Sequence, residues 1–299
     1  FSLKVNWVKK ENEVQVETEY IPQCETPDIE PIPRDKSLNP IELSNGEISC
    51  PPFLENSKPQ EFKWLSNFSK ATNEEILLSL EEFVDAYGDW IKQKIDNPLY
   101  QGDFKDIALQ ELGKCKEDYD RMKSNLTNLL TGNKNIDNLN SFRLMNAAMF
   151  MQLFHSEKVK SKDITKLMNE QDWKGFNLAF YKFADDRLFS KTESAGCRAF
   201  QLAFILLNLD GVFKAENDSE WTARNKWVDL VWFPTGGGKT EAYLGLIALT
   251  IINRRKLQKV RGGGVAAIMR YTLRLLTMQQ FQRATLVIMA LELIRRWDD

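Results

Sequence analysis

Residues 228–240, VDLVWFPTGGGKT, decide how this sequence is interpreted. The run VDLVWF (228–233) is short and apolar, which predicts a buried strand. An apolar stretch begins at Lys239 and predicts a helix that runs to about Arg254. Three glycines separate the two, and a loop without side chains lets many backbone N–H groups approach one anion. We therefore predict a phosphate-binding loop at the N-terminus of a helix, where the helix dipole also favours negative charge.

The residues of this loop have separate predicted roles in binding ATP and Mg²⁺. The Lys239 ammonium can reach the β- and γ-phosphates and the Thr240 hydroxyl can ligate Mg²⁺, so both are candidate catalytic residues. Phe233 departs from the strict pattern, which has glycine or alanine at the first position. The alternative is an ordinary glycine-rich turn with a structural role. The loop residues predicted to hold the cofactor are Thr235, Gly236, Gly237, Gly238, Lys239 and Thr240.

The segments around this loop predict an α/β unit over 191–299. A helix is expected over 200–209, ahead of the first strand. After the helix that begins at Lys239, the run VAAIMRY (265–271) predicts a second strand, and 275–296 predicts a final helix. Strands that alternate with helices at this spacing imply parallel strands joined by crossover helices. The expected architecture of this part is the start of a nucleotide-binding parallel sheet.

The first 60 residues predict a different, β-rich segment. LKVNWVK (3–9) and EVQVETEYI (13–21) alternate in polarity and are rich in residues that favour strands. Glu11 and Asn12 lie between them, which predicts a hairpin. Seven of the ten prolines follow within 31 positions, so a helix is not expected there.

Residues 61–190 are predicted to form a helical domain. Thr72 and Glu75 have the spacing of a capping box, in which each side chain bonds the backbone N–H of the other residue. Apolar residues then recur every three or four positions, which is typical of a helix with one buried face. The Met and Phe stripe of the third helix predicts core packing. The helices are expected from about 72 to 91, over 104–130 with an end near Gly132, over 140–154, and around 164–168.

The charge of the chain is unevenly distributed. Forty basic and 42 acidic side chains give a net charge of −2, which excludes a uniformly basic nucleic-acid coat. Residues 232–299, however, carry 11 basic and four acidic side chains, whereas the other 231 residues are net acidic. This asymmetry predicts a surface that binds along the phosphate backbone of a nucleic acid. The densest basic run, for which a solvated loop is the alternative, contains Arg254, Arg255, Lys256, Lys259 and Arg261.

Composition excludes several other classes of protein. A hydrophobic fraction of 43% with 18 Phe, 8 Trp and 7 Tyr excludes disorder of the whole chain. The most apolar runs are shorter than the roughly 20 residues that a membrane span requires. Four cysteines without a CxxC pair and a single histidine, His155, argue against a zinc centre or a disulfide scaffold, so we expect a cytoplasmic protein. The chain begins at Phe1 without a signal peptide, and we interpret it as part of a longer protein.

Four stretches carry a family resemblance: FRLMNAAMFMQ (142–152), RAFQLAFILLNL (198–209), WFPTGGGKTEAYLGL (232–246) and MRYTLRLLTMQQFQRA (269–284). They resemble the helicase subunit of DISARM, a bacterial anti-phage defence system. The resemblance implies an ATP-driven superfamily 2 motor that acts on DNA together with a defence partner protein. This chain would then supply its N-terminal region and, over 191–299, an incomplete first RecA-like lobe.

The resemblance also implies roles for five further residues. Gln201 resembles the glutamine that reads the adenine edge in superfamily 2 helicases, for which an amide can both donate and accept. The alternative interpretation is that Gln201 is a solvated glutamine near a helix N-terminus. Arg270, Thr272, Arg274 and Gln279 resemble the segment that grips the nucleic-acid backbone, whereas the alternative is that both arginines only pair with surface carboxylates.

One expected motif is missing from the sequence. No D-E-x-H box follows a predicted strand, and such a motif completes Mg²⁺ coordination and positions the attacking water. We therefore predict that this chain alone does not hydrolyse ATP at a useful rate. Two alternatives stay open: a nucleic-acid or partner-binding scaffold with a structural phosphate loop, and a P-loop ATPase that moves protein.

Overall fold

The computed structural model describes residues 8–10, 13–15, 42–43, 46–47, 60–96, 105–158, 196–214, 228–229, 231, 238–270 and 274–297. Most of these residues are helical. The helices are α1 (Phe62–Leu65), α2 (Asn73–Ile95), α3 (Lys105–Asn125), α4 (Ile136–Lys158), α5 (Ala199–Leu207), α6 (Leu209–Phe213), α7 (Lys239–Gln258) and α8 (Arg274–Trp297). A π-helical turn follows α3 at Leu126–Leu130, and 3₁₀ turns lie at Asn133–Asn135 and Lys259–Gly262.

The capping box predicted at the start of α2 is confirmed. The Glu75 amide N–H donates to the Thr72 hydroxyl at 3.2 Å, and the Thr72 amide N–H donates to the Glu75 carboxylate at 2.7 Å. Two backbone donors that the first helical turn leaves without partners are thereby satisfied. The helix consequently begins at Asn73, directly after its cap.

The core is organised around α4, which packs against α1, α7 and α8. The Met and Phe stripe predicted to be core is buried, and this prediction is confirmed. Its fully buried members include Phe142, Met145, Met149, Phe150 and Met151. One continuous cluster of buried apolar side chains extends from Phe62 to Ile294, so helices from both halves of the chain share it.

Two buried asparagines bond the C-terminal ends of α5 and α6. The Asn125 amide donates to the carbonyls of Leu206 and Leu207, at 2.9 and 3.2 Å, which satisfies the C-terminal end of α5. The Asn253 amide donates to the Val212 carbonyl at 2.6 Å and ties α7 to the end of α6. Helix ends leave carbonyls without intrahelical partners, so these amides determine where α5 and α6 lie.

The predicted parallel sheet, and with it the RecA-like fold class, is wrong. Residues 265–270 form no strand, and Val265 and Ile268 are exposed. Val228, Asp229 and Val231 are likewise not in a strand. Within the part of the chain that the structure describes, no strand lies beside residues 265–270 with which they could pair. A strand is stable only when its backbone groups join a ladder, so apolar composition alone did not suffice.

The prediction of a β-rich N-terminal segment is also wrong. In the first 60 positions the structure describes ten strand residues, in two short antiparallel pairs. One pair, Val8–Lys10 with Glu13–Gln15, flanks the turn residues expected for the hairpin, and the other joins Glu42–Leu43 to Gly46–Glu47. Two isolated ribbons of this size bury little apolar surface. The short helix expected around 164–168 lies outside the described residues.

None of the helices that the structure describes combines the length and the apolar character needed to cross a bilayer. The cysteine Cys197, just before α5, is buried, and its amide N–H donates to the Gln60 carbonyl at 2.8 Å. Burial raises the pKa of its thiol to about 12, so the side chain stays a neutral thiol at physiological pH.

The Asn125 bonds yield a stability prediction. Replacing Asn125 by Ala leaves the carbonyls of Leu206 and Leu207 without their buried donor, which should lower the free energy of unfolding by about 1–3 kcal/mol. The matched control is Asn128→Ala, since the Asn128 amide is exposed and bonds only the Ser124 hydroxyl. Urea denaturation measures both variants, and equal stabilities would contradict the proposed role of Asn125.

Candidate nucleotide-binding site

The candidate site is the N-terminus of α7. The helix begins at Lys239, as the sequence predicts, and Gly238 precedes it with φ +82° and ψ +26°. This left-handed conformation is one that glycine adopts without strain and other residues rarely do. Lys239 and Thr240 therefore occupy the first turn, half-buried, while Ala242 and Leu244 anchor the same helix in the core.

Helix α5 crosses α7 at close range. A Cβ added to Gly245 would lie 2.9 Å from Cδ1 of Ile205, so the glycine permits the approach. Phe204 on α5 and Tyr243 on α7 meet edge to face, with ring centroids 5.8 Å apart. The two contacts bring the first turns of α5 and α7 together.

At this crossing Gln201 contacts the end of the phosphate loop. Its Nε2 donates to the Gly238 carbonyl at 2.5 Å, although 37 positions separate the two residues. The Glu241 amide N–H shares the same acceptor, at 3.3 Å. A Cβ on Gly238 would lie 2.7 Å from Nε2, so both space and backbone conformation require glycine here.

The other end of the Gln201 amide is also engaged. Its Oε1 accepts from the Arg198 amide N–H at 2.6 Å, and the residue is only 4% exposed. In this arrangement Gln201 joins the start of α5 to the start of α7. A contact between Gln201 and adenine would require these bonds to be exchanged, and that role stays a prediction.

A neighbouring ion pair was not anticipated from the sequence. Oε1 of Glu241 lies 2.6 Å from Nη1 of Arg283, which links the first turn of α7 to α8. Oε2 of Glu241 is buried without a hydrogen-bond partner and lies beside Gly238. One signal could have identified Glu241: it is the only carboxylate between Asp229 and Glu292.

The structure places the remaining predicted residues as follows. Arg270 and Gln279 are exposed, the latter on α8. For Arg274 the structure describes the backbone only, at the first position of α8. The residues Thr235, Gly236, Gly237 and Thr272 lie outside the described part of the chain.

The arrangement fits an anion better than a metal centre. Gly238 adds no side chain of its own at the loop–helix junction, where the Gln201 and Glu241 side chains already lie. The helix N-terminus and the Lys239 ammonium favour negative charge. The described residues do not gather three or more His, Cys, Asp or Glu side chains around one point. Thr240 follows Lys239 directly in the first turn, and its role in holding Mg²⁺ stays a prediction.

Comparison with known proteins relates the chain to a defence protein. No family model matches the chain. It is similar to DISARM protein DrmA from Bacillus paralicheniformis (strain ATCC 9945a / NCIMB 11709 / CD-2), with 31% identity over 253 residues. The match covers 82% of this chain and 20% of DrmA, so the chain spans about a fifth of the length of that relative. The relation to a DISARM protein, inferred above from four stretches, is confirmed.

The geometry of Gly238 yields a second prediction. Gly238→Ala should lower the free energy of unfolding by about 1–2 kcal/mol or more, because a Cβ is strained at φ +82° and meets the Gln201 amide. Gly113→Ala is the matched control: Gly113 lies inside α3 with nothing near an added Cβ, and alanine there should add about 0.5–1 kcal/mol. Thermal and urea denaturation compare the two, and a stable Gly238→Ala variant would contradict the geometry.

Proposed function

We propose that this chain is the nucleotide-binding part of an ATP-dependent superfamily 2 DNA helicase or translocase that acts in anti-phage defence with a partner protein. The contact between Gln201 and Gly238 carries the proposal. It joins the glutamine predicted to read adenine to the end of the predicted phosphate loop, although 37 positions lie between them. The relation to a DISARM protein supports the role in defence.

The proposed ligand is ATP with Mg²⁺, whose phosphoanhydride hydrolysis supplies the energy for movement. Lys239 would neutralise phosphate charge, and the first turn of α7 would offer its N–H groups and dipole. Thr240 would hold the metal through its hydroxyl. Gln201 would act as a positioning residue, because its bond to the Gly238 carbonyl sets the last peptide of the loop before any ligand arrives.

The proposed polymer is DNA, held by Arg270, Thr272, Arg274 and Gln279. The support is chemical: two guanidinium groups, a hydroxyl and an amide are the side chains that contact phosphate and sugar oxygens. Arg270 and Gln279 are exposed, as such contacts require.

One observation favours a second candidate, a binding scaffold whose phosphate loop is structural. Both ends of the Gln201 amide are already bonded within the protein, so the loop–helix junction is held without a nucleotide. ATP binding separates the two candidates, because a scaffold of this kind would not need it.

Isothermal titration with Mg·ATP tests the proposal. Lys239→Ala should weaken binding at least about tenfold, which corresponds to about 1.4 kcal/mol, since a charge-assisted contact to phosphate is lost. Lys116→Ala serves as the control, because Lys116 pairs with Asp120 on the exposed surface of α3. Equal affinity in the parent chain and Lys239→Ala would exclude this site for ATP.

Turnover provides a separate readout of the same chain. Steady phosphate release is not expected, because the sequence has no D-E-x-H box to position the attacking water. Phosphate release that continues over many turnovers and is abolished by Lys239→Ala would contradict that expectation, although it would support the nucleotide site itself.

A further inference from the structure

The sequence between Glu241 and Glu292 contains no carboxylate. This segment contains eight basic residues. Four of them are exposed at the end of α7 and in the 3₁₀ turn that follows. We define the basic turn as the four exposed side chains Arg255, Lys256, Lys259 and Arg261.

The cations of the basic turn differ from those of the helical region in their partners. In the described part of the chain no carboxylate forms an ion pair with any of the four, and the Lys256 ammonium reaches only the Asp137 carbonyl, at 3.4 Å. By contrast, the lysines of α2 and α3 with ion pairs to neighbouring carboxylates are Lys92, Lys114, Lys116 and Lys123. Among the described residues, the positive charge of the basic turn is thus not paired with a carboxylate.

The basic turn has a defined backbone. The Arg254 guanidinium donates to the carbonyls of Val265 and Gly263, at 2.7 and 2.8 Å. These bonds hold the backbone that follows the turn against the end of α7. A Cβ on Gly262 would lie 2.8 Å from the Arg254 carbonyl oxygen, so the turn packs directly against the end of α7. The four cations are therefore presented from a fixed loop.

Lys259 occupies a position that favours glycine. Its φ of +48° with ψ −123° makes it the only residue other than glycine with positive φ among those that the structure describes. Such conformations are costly for a residue with a Cβ, persist only where the surrounding structure holds them, and cluster at functional sites. Glycines follow at 262–264, yet the strained position holds a lysine.

We propose that the basic turn binds the phosphate backbone of a nucleic acid, at a place separate from Arg270 and Gln279. A regular polyanion can satisfy several uncompensated cations at once and release its counterions on binding. No aromatic side chain occurs between Arg254 and Arg270, so stacking on bases cannot contribute and binding should show no sequence preference. The inference adds a nucleic-acid contact at a place that the proposed function does not assign, and it needs no nucleotide.

Fluorescence anisotropy with labelled single-stranded 30-mers over a salt series tests the inference on the 299-residue chain. The variant replaces Arg255, Lys256, Lys259 and Arg261 by alanine. Its affinity should fall at least about tenfold, and the slope of log K against log salt should flatten by about 3, since each phosphate contact on a single strand contributes about 0.7.

A charge-matched control removes Lys92, Lys114, Lys116 and Lys123, which also subtracts four cations but from ion-paired positions. It should retain the affinity and salt slope of the parent chain. Equal losses in the two variants would overturn the inference in favour of general charge attraction. Binding of polyglutamate as tight as that of the oligonucleotide would overturn it in favour of an acidic polypeptide.

Single substitutions separate charge from folding. Lys259→Gly should raise the melting temperature, because glycine relieves the strained φ, and should lower DNA affinity two- to threefold or more, whereas Lys259→Arg should keep the affinity. Unchanged affinity in Lys259→Gly would assign the residue a structural role only. Lys239→Ala should retain binding at the basic turn even when ATP binding is lost, so the two proposals fail separately.

Discussion

The hydrogen bond from the Gln201 amide to the Gly238 carbonyl is the constraint on which the candidate site depends. It holds the Gly238 carbonyl, which also accepts the first backbone bond of α7 from the Glu241 amide N–H. The donor is itself fixed by the Arg198 amide and by the crossing of α5 and α7 at Gly245. The last residue of the predicted phosphate loop, Gly238, is therefore held by a side chain 37 positions upstream.

Local sequence signals predicted the helices well because helix formation is decided by neighbours along the chain. The capping box at Thr72 and the start of α7 at Lys239 both rest on contacts within four positions. The strand expected over 265–271 failed because strand pairing depends on a distant partner. The ion pair of Glu241 with Arg283 was missed for the same reason, since 42 positions separate its members. In the candidate site, the start of α7 was predictable from the sequence. The two hydrogen bonds that hold the Gln201 amide were not.

The helix dipole accounts for only part of the charge at the far end of α7. Arg255 and Lys256 lie in its last turn, where cations are favoured by about 0.3–1 kcal/mol. Lys259 and Arg261 lie beyond the last residue of α7, in the 3₁₀ turn, where the effect of the α7 dipole has faded. Lys259 also bears backbone strain, which the dipole does not offset. The dipole of α7 therefore does not account for the charge at Lys259 and Arg261.

The length of α7 separates the two proposed sites. Its 20 residues span about 30 Å at 1.5 Å per residue. A triphosphate at Gly238 cannot touch the basic turn across that distance, so any coupling between them must pass through α7 or through a bound polymer. Helix α8 is held to the first turn of α7 by the ion pair of Arg283 with Glu241, and its Ala284 and Val287 pack into the shared core. The proposed nucleotide site and the basic turn thus lie at opposite ends of α7. At physiological salt, where screening acts over about 8 Å, their charges would not interact directly.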